Sequence, residues 1–233
     1  CRKDTWREDM APFRSLSMKG CQQAGNESSR LSRSLRRRGP RRSGDLVLVV
    51  CEGHKTEPQY FSEIQKRWKI QRLRIAPTTD ASSPKDVVER AVEYQRRFQR
   101  RMEVAFDQVW CVFDHDAHGT FEDALNEAAK AQIRVAYSIP CFEFWYLLHF
   151  EYTTRPFRNC REVESQLKQH IKRYTKASVD VTGLLPHIEE AIDNARRVRT
   201  ELKKTGAERP VTHVDRLVDV LIHDPIRGRK GWR

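Results

Sequence analysis

Three carboxylates follow two predicted strands of the chain at the point where each strand ends. Glu52 comes directly after the apolar run at 46–51, and Asp114 and Asp116 follow the run at 106–113. The carboxyl ends of parallel strands meet at one edge of a sheet, so we expect these acids to lie close together. Neighbouring carboxylates repel one another unless a cation neutralises them. Mg²⁺ and Mn²⁺ accept carboxylate and phosphate oxygens as ligands, so the pattern predicts a divalent-metal site that acts on phosphate esters.

Each of these acids also has an ordinary explanation when it is taken alone. An Asp pair close to Gly119 is common in turns, and a Glu-Gly pair such as Glu52-Gly53 is a common way for a strand to end. Their combination at the ends of two strands favours the metal site. In that hypothesis Glu52, Asp114 and Asp116 bind the metal and are the catalytic residues. Glu52 or Glu57 is alternatively a candidate general acid or base.

Two further acids are candidate metal ligands with alternatives of their own. Glu57 falls in the first turn of the helix predicted after the first strand, where it either joins the metal site or complements the helix dipole. Glu143 stands among the aromatic residues at 142–145, and an unpaired carboxylate is costly to bury. We therefore expect Glu143 to join the metal site or to form a salt bridge.

Basic side chains near these acids are candidates for phosphate contact. His54 and Lys55 lie in the turn after the first predicted strand, where they could hold a phosphate or form a solvated turn. Arg96, Arg97 and Arg100 lie on the polar side of a predicted amphipathic helix that starts at Ser83-Pro84. Arginines on such a face give salt-dependent attraction to a nucleic-acid backbone, or are simply a solvated helix face.

Several familiar signatures are absent from the sequence. It contains no GxxxxGK[ST], no GxGxxG and no GxSxG, so it offers no anchor for a P-loop, a dinucleotide fold or a nucleophile elbow. The six cysteines include no CxxC pair, so a zinc cluster has no support from the sequence. We expect these cysteines to be reduced thiols in a cytoplasmic protein.

The pattern of apolar runs predicts the elements that position the acids. Strand-like and helix-like segments alternate from residue 45 to residue 150, which predicts an α/β domain with a parallel sheet of about four strands flanked by helices. The segment at 142–150 is too apolar for a surface helix and is predicted to be a core helix. Residues 151–233 are predicted to be a C-terminal α-helical extension, with helices over residues 160–174, 184–204 and 211–223.

Charge divides the chain into a basic head and a nearly balanced remainder. The 233 residues carry a formal charge of +12, and residues 1–44 contain 12 Lys and Arg against four Asp and Glu. This head has few large apolar residues, so we expect a disordered basic segment that either neutralises phosphates or is a solvated leader preceding the native start. No apolar stretch is long enough to span a membrane.

Three stretches together resemble a known family. The runs VVCEGHKTEPQYF, VFDHDAHG and SIPCFEFWYLLHF are similar to the RloB family of bacterial defence and restriction-linked proteins, whose core resembles the Toprim fold. The resemblance covers roughly residues 45–223. It implies that Glu52, Asp114 and Asp116 carry metal chemistry. A likeness to overcoming-lysogenization-type Toprim nucleases further implies that Glu57 and Glu143 complete a two-metal site, although the first two acids are closer together in those nucleases.

The residues and the resemblance lead to two function hypotheses. The first is a Mg²⁺- or Mn²⁺-dependent Toprim-like nuclease that cuts DNA or RNA as an effector of anti-phage defence. Because RloB-like genes are associated with ATPases, the missing P-loop implies that any motor is a separate partner chain. The second hypothesis is a non-catalytic module that binds nucleic acid or a partner protein and uses the acids structurally.

Overall fold

The computed structural model describes residues 45–77, 83–115, 119–175 and 179–223. The predictions made for the basic segment at 1–44 and for Asp116 therefore lie outside the described residues. Among the helices that are described, none is both long enough and apolar enough to cross a membrane.

The described chain contains a mostly parallel sheet, as the sequence predicts. The strands are β1 (Val47–Cys51), β2 (Leu73–Ile75), β3 (Gln108–Asp114), β4 (Arg134–Ile139) and β5 (Val211–Thr212). Their order across the sheet is β2-β1-β3-β4-β5, and the pairs among the first four strands are parallel. This architecture is consistent with the Toprim-like fold that the resemblance implies.

One edge of the sheet corrects the prediction. Residues 211–212 were expected to begin a helix, but they form β5, which pairs with β4 in the antiparallel direction. Val211 and Thr212 are both β-branched and follow Pro210, a combination that favours extended backbone over helix. The helix itself begins two residues later, at Val214.

Seven α-helices lie within the described ranges. They are α1 (Thr56–Trp68), α2 (Pro84–Met102), α3 (Phe121–Lys130), α4 (Glu143–Leu147), α5 (Cys160–His170), α6 (Ile188–Thr205) and α7 (Val214–His223). Local sequence explains several of their ends. The Ser83 hydroxyl caps α2 by accepting from the Asp86 N–H at 3.3 Å, and Gly206 ends α6 in the left-handed region at φ 72°.

The sheet separates two layers of helices, because its central strands are buried on both faces. Val47, Val49 and Cys51 of β1 belong to a core that also contains buried residues of α1, α4, α5, α6 and α7. The alternate residues Leu48 and Val50 are equally buried and face the other way, toward the layer formed by α2 and α3. This explains why β1 is a continuous apolar run rather than an alternating one.

Helix α4 is the centre of the larger core. It is shorter than the predicted helix at 142–150, yet all nine residues from Cys141 to His149 are buried, as expected for a core segment. The Tyr60 ring lies 5.8 Å from the Phe142 ring and 6.2 Å from the Trp145 ring, in edge-to-face contacts typical of aromatic cores. The segment after β4 is thereby fixed against α1.

His149 makes the stability of this core sensitive to acid. Its Nδ1 lies 2.9 Å from the Trp145 carbonyl oxygen, which only accepts, so Nδ1 carries the proton and Nε2 accepts from the Tyr60 hydroxyl at 3.1 Å. The neutral ring is therefore fully hydrogen-bonded. Burial lowers the pKa of His149 from about 6.5 to about 4, an effect that outweighs its backbone hydrogen bonds.

We predict that His149→Gln reduces the acid sensitivity of folding. Between pH 6.5 and pH 4, His149 is protonated in the unfolded chain but neutral in the folded chain. The free energy of unfolding therefore falls by about 1.4 kcal/mol for each unit by which the pH decreases. Above pH 6.5 both states are neutral at this site and the effect vanishes. Urea unfolding at pH 7.5, 6.0 and 5.0 measures how the free energy of unfolding changes with pH. Below pH 6.5 the variant should lower this slope by up to about 1.4 kcal/mol per pH unit.

His54→Gln provides the matched control, because His54 is exposed in the turn after β1. This variant should retain the wild-type slope. An unchanged slope in His149→Gln would show that His149 is not held neutral in the core.

Candidate functional site

The ends of β1 and β3 lie side by side at the carboxyl-terminal edge of the sheet. Cys51 is paired with Val112, and the Glu52 N–H donates to the Val112 carbonyl at 2.9 Å. Asp114, two residues beyond Val112, is the last residue of β3. The parallel register therefore delivers both acids to one edge.

The Glu52 side chain reaches across to β3. Its Oε2 atom accepts a hydrogen bond from the Asp114 backbone N–H at 3.1 Å. Glu52 and Asp114 are each partly buried. The structure thus brings together Glu52 and Asp114, the two predicted catalytic acids among the described residues. It also fixes the Glu52 carboxylate at the end of β3.

A complete metal shell is not defined by the described residues. Across residues 45–77, 83–115, 119–175 and 179–223, Glu52 and Asp114 belong to no group of three Asp, Glu, His or Cys residues whose ligand atoms all lie within 4.8 Å of one another. Asp116, the third predicted ligand, falls between the described ranges. Metal binding by these acids therefore stays a prediction.

Glu57 folds back onto the turn that follows β1. It lies in the first turn of α1 and is 6% exposed, and its carboxylate covers Gly53 so closely that a Cβ on Gly53 would overlap it. The missing side chain of Gly53 thus provides the space for this carboxylate. Burial raises the pKa of the Cys51 thiol, and the charge of Glu57 raises it further.

Glu143 is buried beside a hydroxyl donor and a disulfide. It is 2% exposed, and its Oε1 accepts from the Tyr174 hydroxyl at 3.0 Å. Its Oε2 lies 3.2 Å from Sγ of Cys160, which is bonded to Cys141. The predicted burial of Glu143 among aromatic residues is therefore accompanied by a hydrogen bond from a distant tyrosine.

The expectation that the cysteines are reduced is wrong for Cys141 and Cys160. The fold brings the end of β4 next to the first residue of α5, with the two Cα atoms 5.6 Å apart, within disulfide range. Cys51 and Cys111 are free and buried, as expected for small apolar side chains. Cys141, Glu143 and Cys160 also have ligand atoms within 4.8 Å of one another, but only the reduced thiolates would bind a metal well.

Glu57 and Glu143 act on the same two tyrosines. Burial raises the pKa of Tyr146, and Tyr60, Glu57, Tyr174 and Glu143 raise it further. Burial likewise raises the pKa of Tyr174, followed by the charges of Glu143, Glu164 and Glu57. The Tyr146 hydroxyl donates to the Thr56 carbonyl at 3.1 Å, beside the start of α1. Both acids therefore lie around one buried tyrosine pair.

The predicted basic residues lie at two separate places. His54 and Lys55 are exposed in the turn between β1 and α1, directly after Glu52. Arg96, Arg97 and Arg100 are exposed on α2, where Arg97 pairs with Glu93 one helical turn away. The Glu93 pairing is typical of a solvated helix face, whereas the turn carrying His54 and Lys55 adjoins the acids.

Sequence reasoning missed the partners of these acids. Tyr174 lies 31 residues after Glu143, and nothing in the local sequence connects them. Tyr146 carried a possible signal, because it is a polar-tipped aromatic three residues after Glu143 in an otherwise apolar segment. The cation-rich region near β5, described below, was also missed, since its members come from α6, the residue after β5, and α7.

Comparisons with known proteins give one match. A family model described as RloB-like protein matches residues 47–221, which include every described element of the fold except the end of α7. None of the curated proteins and none of the solved structures compared with the chain matches it.

We predict that Gly53→Ala destabilises the fold through Glu57. The added Cβ overlaps the Glu57 carboxylate, so one of the two must move, and overpacking of this kind costs about 1–3 kcal/mol. Chemical denaturation measures the free energy of unfolding. In a Glu57→Ala background the same substitution should cost much less, because the overlapping atoms are gone.

Gly183→Ala is the matched control for this substitution. Its Cβ would lie 3.7 Å from an Asp180 carboxylate oxygen, which is ordinary contact, so stability should change by less than about 0.5 kcal/mol. An equal cost of Gly53→Ala with and without the Glu57 carboxylate would contradict the proposed contact.

Proposed function

We propose that this chain, which belongs to the RloB-like protein family, is a Mg²⁺- or Mn²⁺-dependent nuclease. It hydrolyses phosphodiester bonds of DNA or RNA and acts as an effector in bacterial anti-phage defence. One observation carries the proposal: the Glu52 carboxylate, at the end of β1, accepts from the backbone of Asp114, at the end of β3.

The position of these acids supports the proposal. In sheets of parallel strands, ligands bind beyond the carboxyl ends of the strands, where Glu52 and Asp114 lie. Both side chains are only partly buried, so they remain open to a substrate.

The donor set fits a hard divalent cation. Carboxylate oxygens are the ligands that Mg²⁺ and Mn²⁺ prefer, and such ions keep positions for substrate phosphate oxygens. Glu52, Asp114 and Asp116 would hold the metal, which, when bound, supplies charge stabilisation and a more acidic water. Glu57 and Glu143 are proposed as further ligands, as the family resemblance implies.

The described residues have definite tasks in this proposal. The Asp114 N–H fixes the Glu52 carboxylate in one orientation, which removes the cost of ordering it when substrate arrives. Gly53 allows Glu57 to lie against the same turn. The exposed His54 and Lys55 are proposed to contact a phosphate oxygen. Arg96, Arg97 and Arg100 are proposed to attract the nucleic-acid backbone at longer range.

A second candidate function is a non-catalytic module that binds nucleic acid or a partner protein. It is favoured by Glu143, because this buried acid already accepts a hydrogen bond from the Tyr174 hydroxyl. In this alternative the acids hold the fold and bind no metal. Calorimetric titration with Mg²⁺ or Mn²⁺ at millimolar concentration separates the two candidates.

The setting of the protein is part of the proposal. We propose that it acts in the cytoplasm and that a separate ATPase chain controls it. The absence of a P-loop sequence in the chain supports a separate motor.

We predict that Glu52→Gln and Asp114→Asn each reduce metal-dependent cleavage by about 100-fold or more. Each variant removes one anionic ligand while keeping size and shape, and even weaker changes around metal ligands cost 10–100-fold. The assay is a panel of single-stranded DNA, double-stranded DNA and total RNA with Mg²⁺ or Mn²⁺, with EDTA as the blank. Circular dichroism and thermal unfolding establish that each variant is folded.

Asp193→Asn is the matched control, because Asp193 is an exposed acid on α6 that pairs with Arg196 at 3.6 Å. It should cut like the wild type. Cleavage that persists at the wild-type rate in the Glu52→Gln, Asp114→Asn double variant would overturn the nuclease mechanism.

A further inference from the structure

The outer end of the sheet contains a group of cationic and imidazole side chains that the metal chemistry does not use. We call Arg199, His213 and Arg216 the β5 cluster, since they come from α6, the residue after β5, and α7. The backbone N–H of His213 donates to the Tyr137 carbonyl of β4 at 2.9 Å. The cluster is therefore fixed to the sheet.

The charge of Arg199 is already neutralised. Its two terminal nitrogens contact the two carboxylate oxygens of Asp215, each at 2.6 Å, and Nη1 also donates to the Thr212 carbonyl at 2.5 Å. Asp215 is 1% exposed, so this is a buried, bidentate ion pair. Asp215 thus has both oxygens committed to Arg199.

Arg216 brings a second guanidinium to the same place. Its Nε is buried and, within the described ranges of the chain, has no hydrogen-bond partner. Burial lowers the pKa of Arg216, and the charge of Arg199 lowers it further, although Asp215 and Tyr137 act in the opposite direction. A buried donor on a cation without an acceptor is costly.

His213 contributes a ring nitrogen that has no hydrogen-bond partner among the described residues, and it contributes no charge. Burial, followed by the charges of Arg216 and Arg199, lowers the pKa of His213 to about 3, so the ring is neutral at pH 7. Its Nδ1 is also buried without a hydrogen-bond partner among the described residues. The His213 ring lies 4.3 Å from the ring of Tyr137, which makes Tyr137 a wall of the same site.

The ring of Tyr137 also contacts the start of α3. The Tyr137 ring lies 5.2 Å from the ring of Phe121, the first residue of α3. Thr120, the residue before it, has a buried Oγ1 with no hydrogen-bond partner in the part of the chain that the structure describes. The start of α3, which Tyr137 contacts through Phe121, therefore also carries a buried hydroxyl with no partner among the described residues.

We propose that the β5 cluster binds a phosphate group through Arg216, with His213 and Tyr137 beside it. The guanidiniums of Arg199 and Arg216 face one carboxylate, that of Asp215, which is already paired with Arg199. A bound oxyanion would neutralise the remaining positive charge and accept a hydrogen bond from Arg216 Nε. A hydrophobic or cationic ligand would offer Arg216 neither an acceptor nor a compensating charge, and a neutral acceptor would leave the charge uncompensated.

The location connects this site to the proposed catalytic edge. Asp114 is paired with Ser138 and Ser138 with Thr212, the residue before His213, so one row of the sheet joins the two places. Two strand spacings amount to about 10 Å, a distance that a short segment of one nucleic-acid strand can span. Resting on the proposed function, the cluster would then hold a phosphate on the same strand as the scissile one.

The test uses the full chain in EDTA, so that it depends neither on metal nor on cleavage. Two-dimensional ¹H–¹⁵N NMR of the wild-type protein follows the arginine Nε–H signals during titration with inorganic phosphate. The Arg216 signal should shift with saturation. Arg216→Gln should weaken phosphate binding at least tenfold by calorimetry, and Arg216→Lys, which keeps the charge but loses the fork, should weaken it less.

Arg197→Gln is the matched control, because Arg197 is an exposed arginine on α6 that stacks 4.1 Å from the Tyr152 ring centre. Its binding should equal that of the wild type. Two further probes identify the source of the phosphate: a 5′-mononucleotide carries a terminal phosphate, and a dinucleoside monophosphate carries only an internal phosphodiester. Binding of either supports the site and assigns its ligand.

Failure of this proposal is distinguishable from failure of the nuclease. Glu52→Gln should bind phosphate like the wild type, whatever its cleavage activity. The phosphate site is overturned if the Arg216 signal does not move at millimolar concentrations of all three probes. It is also overturned if Arg197→Gln weakens binding as much as Arg216→Gln does.

Discussion

The parallel pairing of β1 with β3 is the constraint on which the site depends. Its register runs from Val47 opposite Gln108 to Cys51 opposite Val112, and it ends with the Glu52 carboxylate accepting from the Asp114 N–H. A slip by one residue would turn every buried side chain of β1 to the other face. Because helices pack on both faces of the sheet, a change of register would disrupt this packing. The register in turn sets the positions of Glu52 and Asp114.

The same fold buries two more acids, Glu57 and Glu143. Glu57 is held in the space that Gly53 leaves, and Glu143 accepts from Tyr174 next to a disulfide sulfur. Buried carboxylates are stable only when donors or cations surround them, and here tyrosine hydroxyls contribute part of that environment. Burial raises the pKa values of Tyr146 and Tyr174, and the charges of Glu57 and Glu143 raise them further.

The sequence predicted what depends on local pattern and missed what depends on long-range contact. The unbroken apolar run of β1 predicted a strand buried on both faces, and Ser83 predicted the start of α2. The convergence of Glu52 and Asp114 followed from strand order alone. The hydrogen bond between Tyr174 and Glu143 could not be predicted, because no local period links residues so far apart. The two-residue strand β5, the disulfide between α5 and the end of β4, and the β5 cluster were missed for the same reason.

The most direct test of the account is the position of a bound metal. Crystals of the protein soaked in Mn²⁺ give an anomalous difference map that locates the ion without reference to activity. The account predicts a peak between the carboxylates of Glu52 and Asp114, and no peak there in Glu52→Gln. A peak only beside Cys141 and Cys160, or no peak at the carboxyl edge at millimolar Mn²⁺, would contradict it.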